Sequence, residues 1–207
     1  MATLEHREEA ERNASDRVAP SLARQPGFRA VYFGRFAELE AFSVSLFDDR
    51  EAAGAAGVAM NAQPLLAGQV PEMLPSPEAV AFFDVVSSVV HDLVPAVGRL
   101  GYLALAPDQN EAAADLWVTS FSEMLEGAHG LCQVFFLRAP DSAQRISLTF
   151  WSSLEAMEAG GAAIAAWQAG EASAGRRPAY VAKDSFVLTE LLTAIAGVPA
   201  TMPDPAG

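Results

Sequence analysis

A single cysteine in 207 residues, Cys132, leaves no intrachain disulfide to be formed and none of the clustered thiolates that zinc or iron–sulfur centres require. Set in an apolar run, it reads as a small core residue. Lysine is nearly missing as well, with Lys183 the only one, and 13 basic against 26 acidic residues give a formal net charge of -13. A surface that grips phosphates concentrates Lys and Arg, so this balance argues against nucleic acid as a partner and assigns the acidic excess to solubility. The three histidines, His6, His91 and His129, form no HxxxH, HxH or His-plus-carboxylate cluster, so no metal is expected. No glycine-rich nucleotide loop and no nucleophile elbow is present. Apolar runs are short: the longest region, 79–106, is broken by Asp84, His91, Asp92, Pro95 and Arg99, below the roughly 18 to 20 residues a membrane helix needs. The opening "MATLEHREEAERNASDR" lacks the basic-then-apolar order of a signal peptide, so the expectation is a cytoplasmic protein with no membrane partner.

What is there is a phrase read twice. "GFRAVYFGRFAELEAFSVSLFDD" from Gly27 lies against "GLCQVFFLRAPDSAQRISLTFWSS" from Gly130 without a gap, pairing Val31 with Val134, Phe33 with Phe136 and Phe47 with Phe150, at an offset of 130 − 27 = 103. The register then slips by one and "REAAGAAGVAMNAQ" from Arg50 falls on "LEAMEAGGAAIAAWQ" from Leu154. A fixed internal period means one structural unit used twice, and two such units can pack as the subunits of a dimer do. A chain that is 51% hydrophobic and 19% charged is globular, and it is long enough for two small cores.

The second repeat is the clearer. Residues 111–127 set Leu116, Trp117, Ser120, Phe121, Met124 and Leu125 at helical spacing, with Gly127 and Gly130 as stop signals. Residues 131–138 and 145–151 are β-rich runs joined by the turn residues of "APDSAQ". Ser152 or Ser153 starts an Ala-rich helix over 154–169 whose Met157, Ile164 and Trp167 face inward, and 179–188 reads as a final strand. With 100–106 as opening strand the order is β-α-β-β-α-β, the ferredoxin-like arrangement, with antiparallel sheets and helices on one face. The first repeat reads as helix 4–24, strands 27–35 and 40–47, helix 49–66 and strand 78–86. Its opening strand, 100–106 projected back by 103, falls at -3 to 3, so the expectation is either that the start at Met1 is too late or that another segment, such as 87–94 or 186–196, fills that sheet edge. The division is therefore 1–90 and 91–198, with 199–207 a flexible tail. The fold class is α+β, two ferredoxin-like repeats whose facing sheets form one barrel with helices outside.

"RISLTFWSSLEAMEAGGAAIAAW" resembles the strand-to-helix signature of the antibiotic-biosynthesis monooxygenase-like dimeric α/β barrels, in which a strand ends in an aromatic and Trp before an Ala/Glu-rich helix. The resemblance covers 111–187 clearly and 4–86 more weakly; Asp48 stands where the second half has Trp151. It implies a cofactor-independent monooxygenase acting with dioxygen on an aromatic or polyketide-type small molecule, or alternatively a non-catalytic barrel that binds such a molecule or is structural. The fold also admits a homo-oligomer. Haem-degrading relatives need an axial histidine late in the second helix of a unit, and neither "GVAMNAQPLL" nor "AAIAAWQAG" has one.

Such chemistry needs an apolar pocket, a proton partner and exclusion of water. Trp117, Phe121, Phe135, Trp151 and Trp167, beside the small residues 160–163, are expected to wall the pocket, although core packing accounts for each singly. Arg145 shares a strand face with Ser147, Thr149 and Trp151 and is expected to bind substrate from it. His129 and Tyr180 are the catalytic candidates, the first as a base near neutral pH, the second through its hydroxyl; a solvated loop histidine and a core tyrosine are the plainer accounts. Tyr32 and Arg35 are the first repeat's counterparts. All three tryptophans lie in the second repeat, so that repeat is expected to carry the site.

Overall fold

Where helix gives way to hairpin, the chain turns the same corner twice. In the computed structural model, which describes residues 12–37, 40–61, 83–105, 109–140, 143–176, 180–188 and 190–196, Gly27 and Gly130 both adopt left-handed backbone, with φ of 72° and 75°. Any Cβ there is strained. It would also strike the next helix, 2.8 Å from Ala52 Cβ in one corner and 2.6 Å from Ala156 Cβ in the other. The backbone hydrogen bonds match too: Gln25 N to Leu22 O and Ala128 N to Leu125 O are both 2.9 Å, and Phe28 N to Gln25 O and Leu131 N to Ala128 O are both 3.2 Å.

The chain forms two compact units, Met1–Val80 with Leu191–Gly207, and Ala81–Glu190. In the first, helix α1 is a π-helical turn, Ala14–Val18, running into Ala19–Ala23. Strands β1 (Phe28–Ala37) and β2 (Glu40–Phe47) form an antiparallel hairpin, and α2 spans Arg50–Asn61. Among the described residues its core cluster buries Ala19, Leu22, Val31 and Met60, with Val18, Phe28, Phe33 and Phe47 packed around them.

The second unit holds β3 (Asp84–Val90), β4 (Val97–Leu105), helix α3, strands β5 (Leu131–Arg138) and β6 (Gln144–Trp151), helix α4 (Leu154–Ser173) and β7 (Tyr180–Leu188). α3 runs from Asn110–Leu116 through a π-helical turn, Trp117–Phe121, to Ser122–Glu126. Its π turn lies 117 − 14 = 103 residues after that of α1, the same offset as the two glycine corners. The sheet order is β3-β5-β6-β4-β7, antiparallel throughout. Strands β7-β4-β6-β5 have the ferredoxin-like order, and β3 is added outside β5.

Local chemistry accounts for these elements. β5 is apolar along nearly its whole length and is buried from Leu131 to Leu137 on both faces, as an interior strand must be. Ser153 caps α4, its hydroxyl accepting from Ala156 N at 3.1 Å. α4 buries Ala156, Met157 and Gly160 at helical spacing and extends the stripe with Ile164 and Trp167. The core joins these to Trp117, Phe121, Leu125, Leu131, Val134, Phe136 and Trp151.

Some boundaries differ from expectation. The strand expected over 78–86 runs instead from Asp84 to Val90, with 78–82 outside the described residues; so do 4–11 of the first helix, 62–66 of the second, and the tail. Of the segments expected to replace the missing opening strand, 87–94 contributes to β3, which pairs with β5. Segment 186–196 divides into the end of β7 and β8 (Glu190–Ala196), which is hydrogen-bonded beside β1 in a sheet of order β2-β1-β8. Neither lies next to β2, where the ferredoxin-like order puts an opening strand.

Candidate functional site

The sheet of the second unit leaves a cavity of about 150 Å³ under α3 and α4. Its floor follows from strand register. Phe136, Ser147 and Gly101 lie opposite one another across β5, β6 and β4, and Thr149 lies opposite Arg99 in the adjacent row. Since side chains alternate along a strand, these residues share one face. Arg99, Gly101, Leu103, Phe136, Ser147 and Thr149 line the cavity from the sheet. Trp117 and Phe121 line it from α3, and Gly161, Ile164, Ala165, Trp167 and Gln168 from α4.

One wall is aromatic. Trp117 and Phe121 each bring their ring centroid to 5.1 Å from that of Phe136, and Phe121 sits 4.7 Å from Trp167. The π turn presents Trp117 and Phe121 to the same partner ring, a use typical of π bulges at functional positions. Ser122 completes the turn by donating to the Trp117 carbonyl at 2.8 Å, and its hydroxyl lies 3.1 Å from that of Ser87 on β3.

Trp167 is held from behind. Its indole Nε1 donates to Ser120 Oγ at 2.9 Å, and Ser120 is near enough to Glu171 to favour its carboxylate form. Arg176 clamps that carboxylate through Nε at 2.7 Å and Nη2 at 3.0 Å. The guanidinium, with help from Ser120 and against the cost of burial, holds Glu171 below the usual glutamate range. The polar residues of the lining are Arg99, Ser147, Thr149 and Gln168. Gly161 makes room for Arg99, since a Cβ there would come within 3.2 Å of Arg99 Nη1.

Of the expected pocket residues, Trp117, Phe121 and Trp167 come together here. Trp151 does not line the cavity. It is 1% exposed, packs over Gly160, and donates through Nε1 to Thr149 Oγ1 at 3.0 Å, so it fixes a lining hydroxyl from within the core. Phe135 is buried, but alternation puts it on the other sheet face and Phe136 in the cavity. Arg145 is buried beyond the lining, donating through Nη1 to the Gln144 carbonyl at 2.8 Å. Burial, then the neighbouring Arg138, pulls its pKa down. His129 is exposed in the turn after α3 and is absent from the lining. Tyr180 stands opposite Leu105 in the β4–β7 ladder, its side chain outside the described residues, as is that of Arg35. Tyr32 is buried in the first unit. Cys132 is fully buried, which pushes its thiol pKa up, as befits a core residue.

Sequence reading missed Arg99, Gly101, Phe136 and Gln168. The signal for Arg99 is a cation and a glycine at even spacing within an apolar strand. Among the described residues no group of three or more His, Cys, Asp and Glu is placed to hold a metal ion, and no helix is long and apolar enough to cross a membrane.

No protein-family model and no curated protein matches the sequence. Solved structures do match the fold. A monooxygenase candidate from Fusobacterium nucleatum superposes with a TM-score of 0.72 at 10% identity, over 94% of this chain and 89% of that one. One from Lactobacillus acidophilus gives 0.64 at 13% identity, over 94% and 93%. This chain has the fold of these monooxygenase-like proteins. An anthrone oxidase-like protein shares it with a TM-score of 0.55 at 12% identity, over 95% of this chain and 89% of that one. The monooxygenase-like fold agrees with the resemblance carried by residues 145–167, and fold alone assigns no reaction.

Proposed function

We propose that the second unit oxidises an electron-rich aromatic small molecule with dioxygen, using neither metal nor flavin. The observation that carries this reading is the composition of the cavity lining, which joins Trp117, Phe121, Phe136 and Trp167 to Arg99, Ser147, Thr149 and Gln168. A phenol bound there has its ring held by the aromatics and its oxygen turned to Arg99. Among the described residues no Asp, Glu or His lines the cavity. Ionisation is therefore driven by the fixed cation, which favours the phenolate, with the proton passing to water at the mouth beside the exposed Ala165. The electron-rich anion gives an electron to dioxygen, a C–O bond forms, and a proton from water completes a hydroperoxide. Loss of water from that C–H and O–OH pair leaves a carbonyl, one oxygen atom in the product and the other in water. A dry aromatic wall protects the intermediate.

The shared fold of monooxygenase-like proteins supports the reading, as do the recurrences at an offset of 103, which fit one unit used twice in a single-chain barrel of two facing sheets. Only the second copy has aromatic side chains in the π turn, where the first has Ala14 and Val18. A second reading, a binder without catalysis, is favoured by the lack of a general base among the described lining residues. Oxygen uptake by metal- and flavin-free protein separates the two.

A further inference from the structure

Two hydroxyls of the cavity lining, Ser147 and Thr149, stand on the same face of β6, and their surroundings differ. Thr149 is 5% exposed and its hydroxyl is engaged in both senses: Oγ1 accepts from Trp151 Nε1 at 3.0 Å and donates to the Arg99 carbonyl at 3.4 Å. A hydroxyl has one proton to give. With that proton turned to the backbone of β4, Thr149 is a strut tying the end of β6 to its neighbour. Arg99 and Gln168 have interactions of their own as well.

Ser147 is half-buried, and among the described residues its hydroxyl has no hydrogen-bond partner. It leans over Gly101, the residue opposite it on β4, where a Cβ would come within 2.5 Å of Ser147 Oγ. β4 is an interior strand, lying between β6 and β7. A glycine in such a strand forfeits packing and marks a place where another group approaches the backbone closely. Here it makes room for the one lining hydroxyl that is left to bind a ligand.

We propose that Ser147 is the specificity-determining residue of this cavity, the group that hydrogen-bonds an oxygen substituent on the ring of its ligand, while Thr149 only holds Trp151 and β4 in place. The inference rests on the reading of the cavity as the substrate site. A serine hydroxyl both donates and accepts, so it suits a ring hydroxyl and a ring carbonyl alike. A ligand with a methyl group in place of that oxygen covers the hydroxyl and leaves it without a partner, which is how a polar group in an apolar site discriminates.

The test is a thermodynamic cycle on the intact chain under nitrogen, with 2-naphthol and 2-methylnaphthalene as probes that share a ring system and differ by a hydroxyl against a methyl. The quantity read by calorimetric titration is the ratio of the two dissociation constants, which cancels what a variant does to the cavity as a whole. Ser147→Ala should shift that ratio against 2-naphthol by about threefold to tenfold, the scale of one net hydrogen bond, with little change in the denaturation midpoint. Gly101→Ala, which crowds the hydroxyl without removing it, should shift the ratio in the same direction and serves if Ser147→Ala does not fold. Thr149→Val deprives the buried Trp151 N–H of its acceptor; it should lower the denaturation midpoint and weaken both probes alike, so that the ratio holds. A ratio unmoved in folded Ser147→Ala, or moved as far by Thr149→Val, would overturn the assignment while leaving the cavity a binding site. Binding of neither probe would overturn it together with the reading on which it rests.

Discussion

Gly160 on α4 is a glycine because the ring of Trp151 occupies the place of its side chain: a Cβ there would fall against Cη2 of the indole and lie 2.6 Å from Cζ3 and 2.7 Å from Cζ2. Helix and strand approach this closely at the point where β6 ends and α4 begins its buried stripe. Gly160→Ala should therefore cost about 1 to 3 kcal/mol by overpacking, although alanine is the better helix former. Gly54→Ala in α2, where a Cβ meets nothing within 4 Å, should instead gain about 0.5 to 1 kcal/mol. Urea denaturation of both variants checks the contrast; equal effects would mean that the indole moves freely.

Trp151→Ala should be costly to the fold, by about 3 to 5 kcal/mol for a buried aromatic cut to a methyl. At the corresponding place in the first unit, Asp48 makes an ion pair with Arg29 between part-exposed side chains, and Asp48→Ala should cost no more than about 1 kcal/mol. Denaturation midpoints of the two variants test this asymmetry between the two corners.

The Glu171–Arg176 ion pair, with Ser120 beside it, gives a pH dependence whose sign is fixed. Glu171 titrates below its ordinary value of 4.5 in the folded protein, so its contribution is complete above that pH and is lost as pH falls through the lowered value. Ser120→Ala should release the indole of Trp167, red-shifting its fluorescence, and Glu171→Gln should flatten the acid limb of the stability curve. An unchanged acid limb in Glu171→Gln would show that the ion pair does not support the fold.

Much of this architecture is legible in the residues, and the reasons differ by element. The hairpin strands are readable because Leu131–Arg138 and Gln144–Trp151 are β-rich runs bounded by Pro, Asp and Gly, and α4 because its apolar stripe repeats at helical spacing. β8 is harder, since Thr189 offers no strong turn signal between two β-rich runs and partner choice is a tertiary matter. In the site, Trp117, Phe121 and Trp167 follow from periodicity. The π turn, a widening that periodicity does not report, decides what they face. Phe135 and Phe136 are adjacent aromatics in a strand buried on both faces, so composition does not tell which one faces the helices. Trp151 reads as a pocket wall because the sequence records an aromatic at the end of a strand and nothing about the glycine beneath it.

Trp117→Ala should enlarge the cavity while leaving the polar wall in place. The expected outcome is weaker binding of a one-ring phenol and, through a misplaced ring, a lower rate of oxidation, with a loss of about 3 to 5 kcal/mol in stability as for other buried aromatics. Calorimetric titration at a temperature where the variant remains folded checks it, and undiminished affinity would move the ligand site away from this aromatic wall.

Whether the second unit is an oxygenase is decided with an oxygen electrode: purified protein, stripped of metal and flavin, is given a one-ring hydroquinone in the presence of a chelator. Oxygen consumption should exceed the uncatalysed background, be unaffected by the chelator and fall about a hundredfold or more in Arg99→Met, the scale set by removing one preorganised group that stabilises charge. Uptake that stays at background for every phenol tried, or that is unchanged in folded Arg99→Met, would contradict the proposed oxidation.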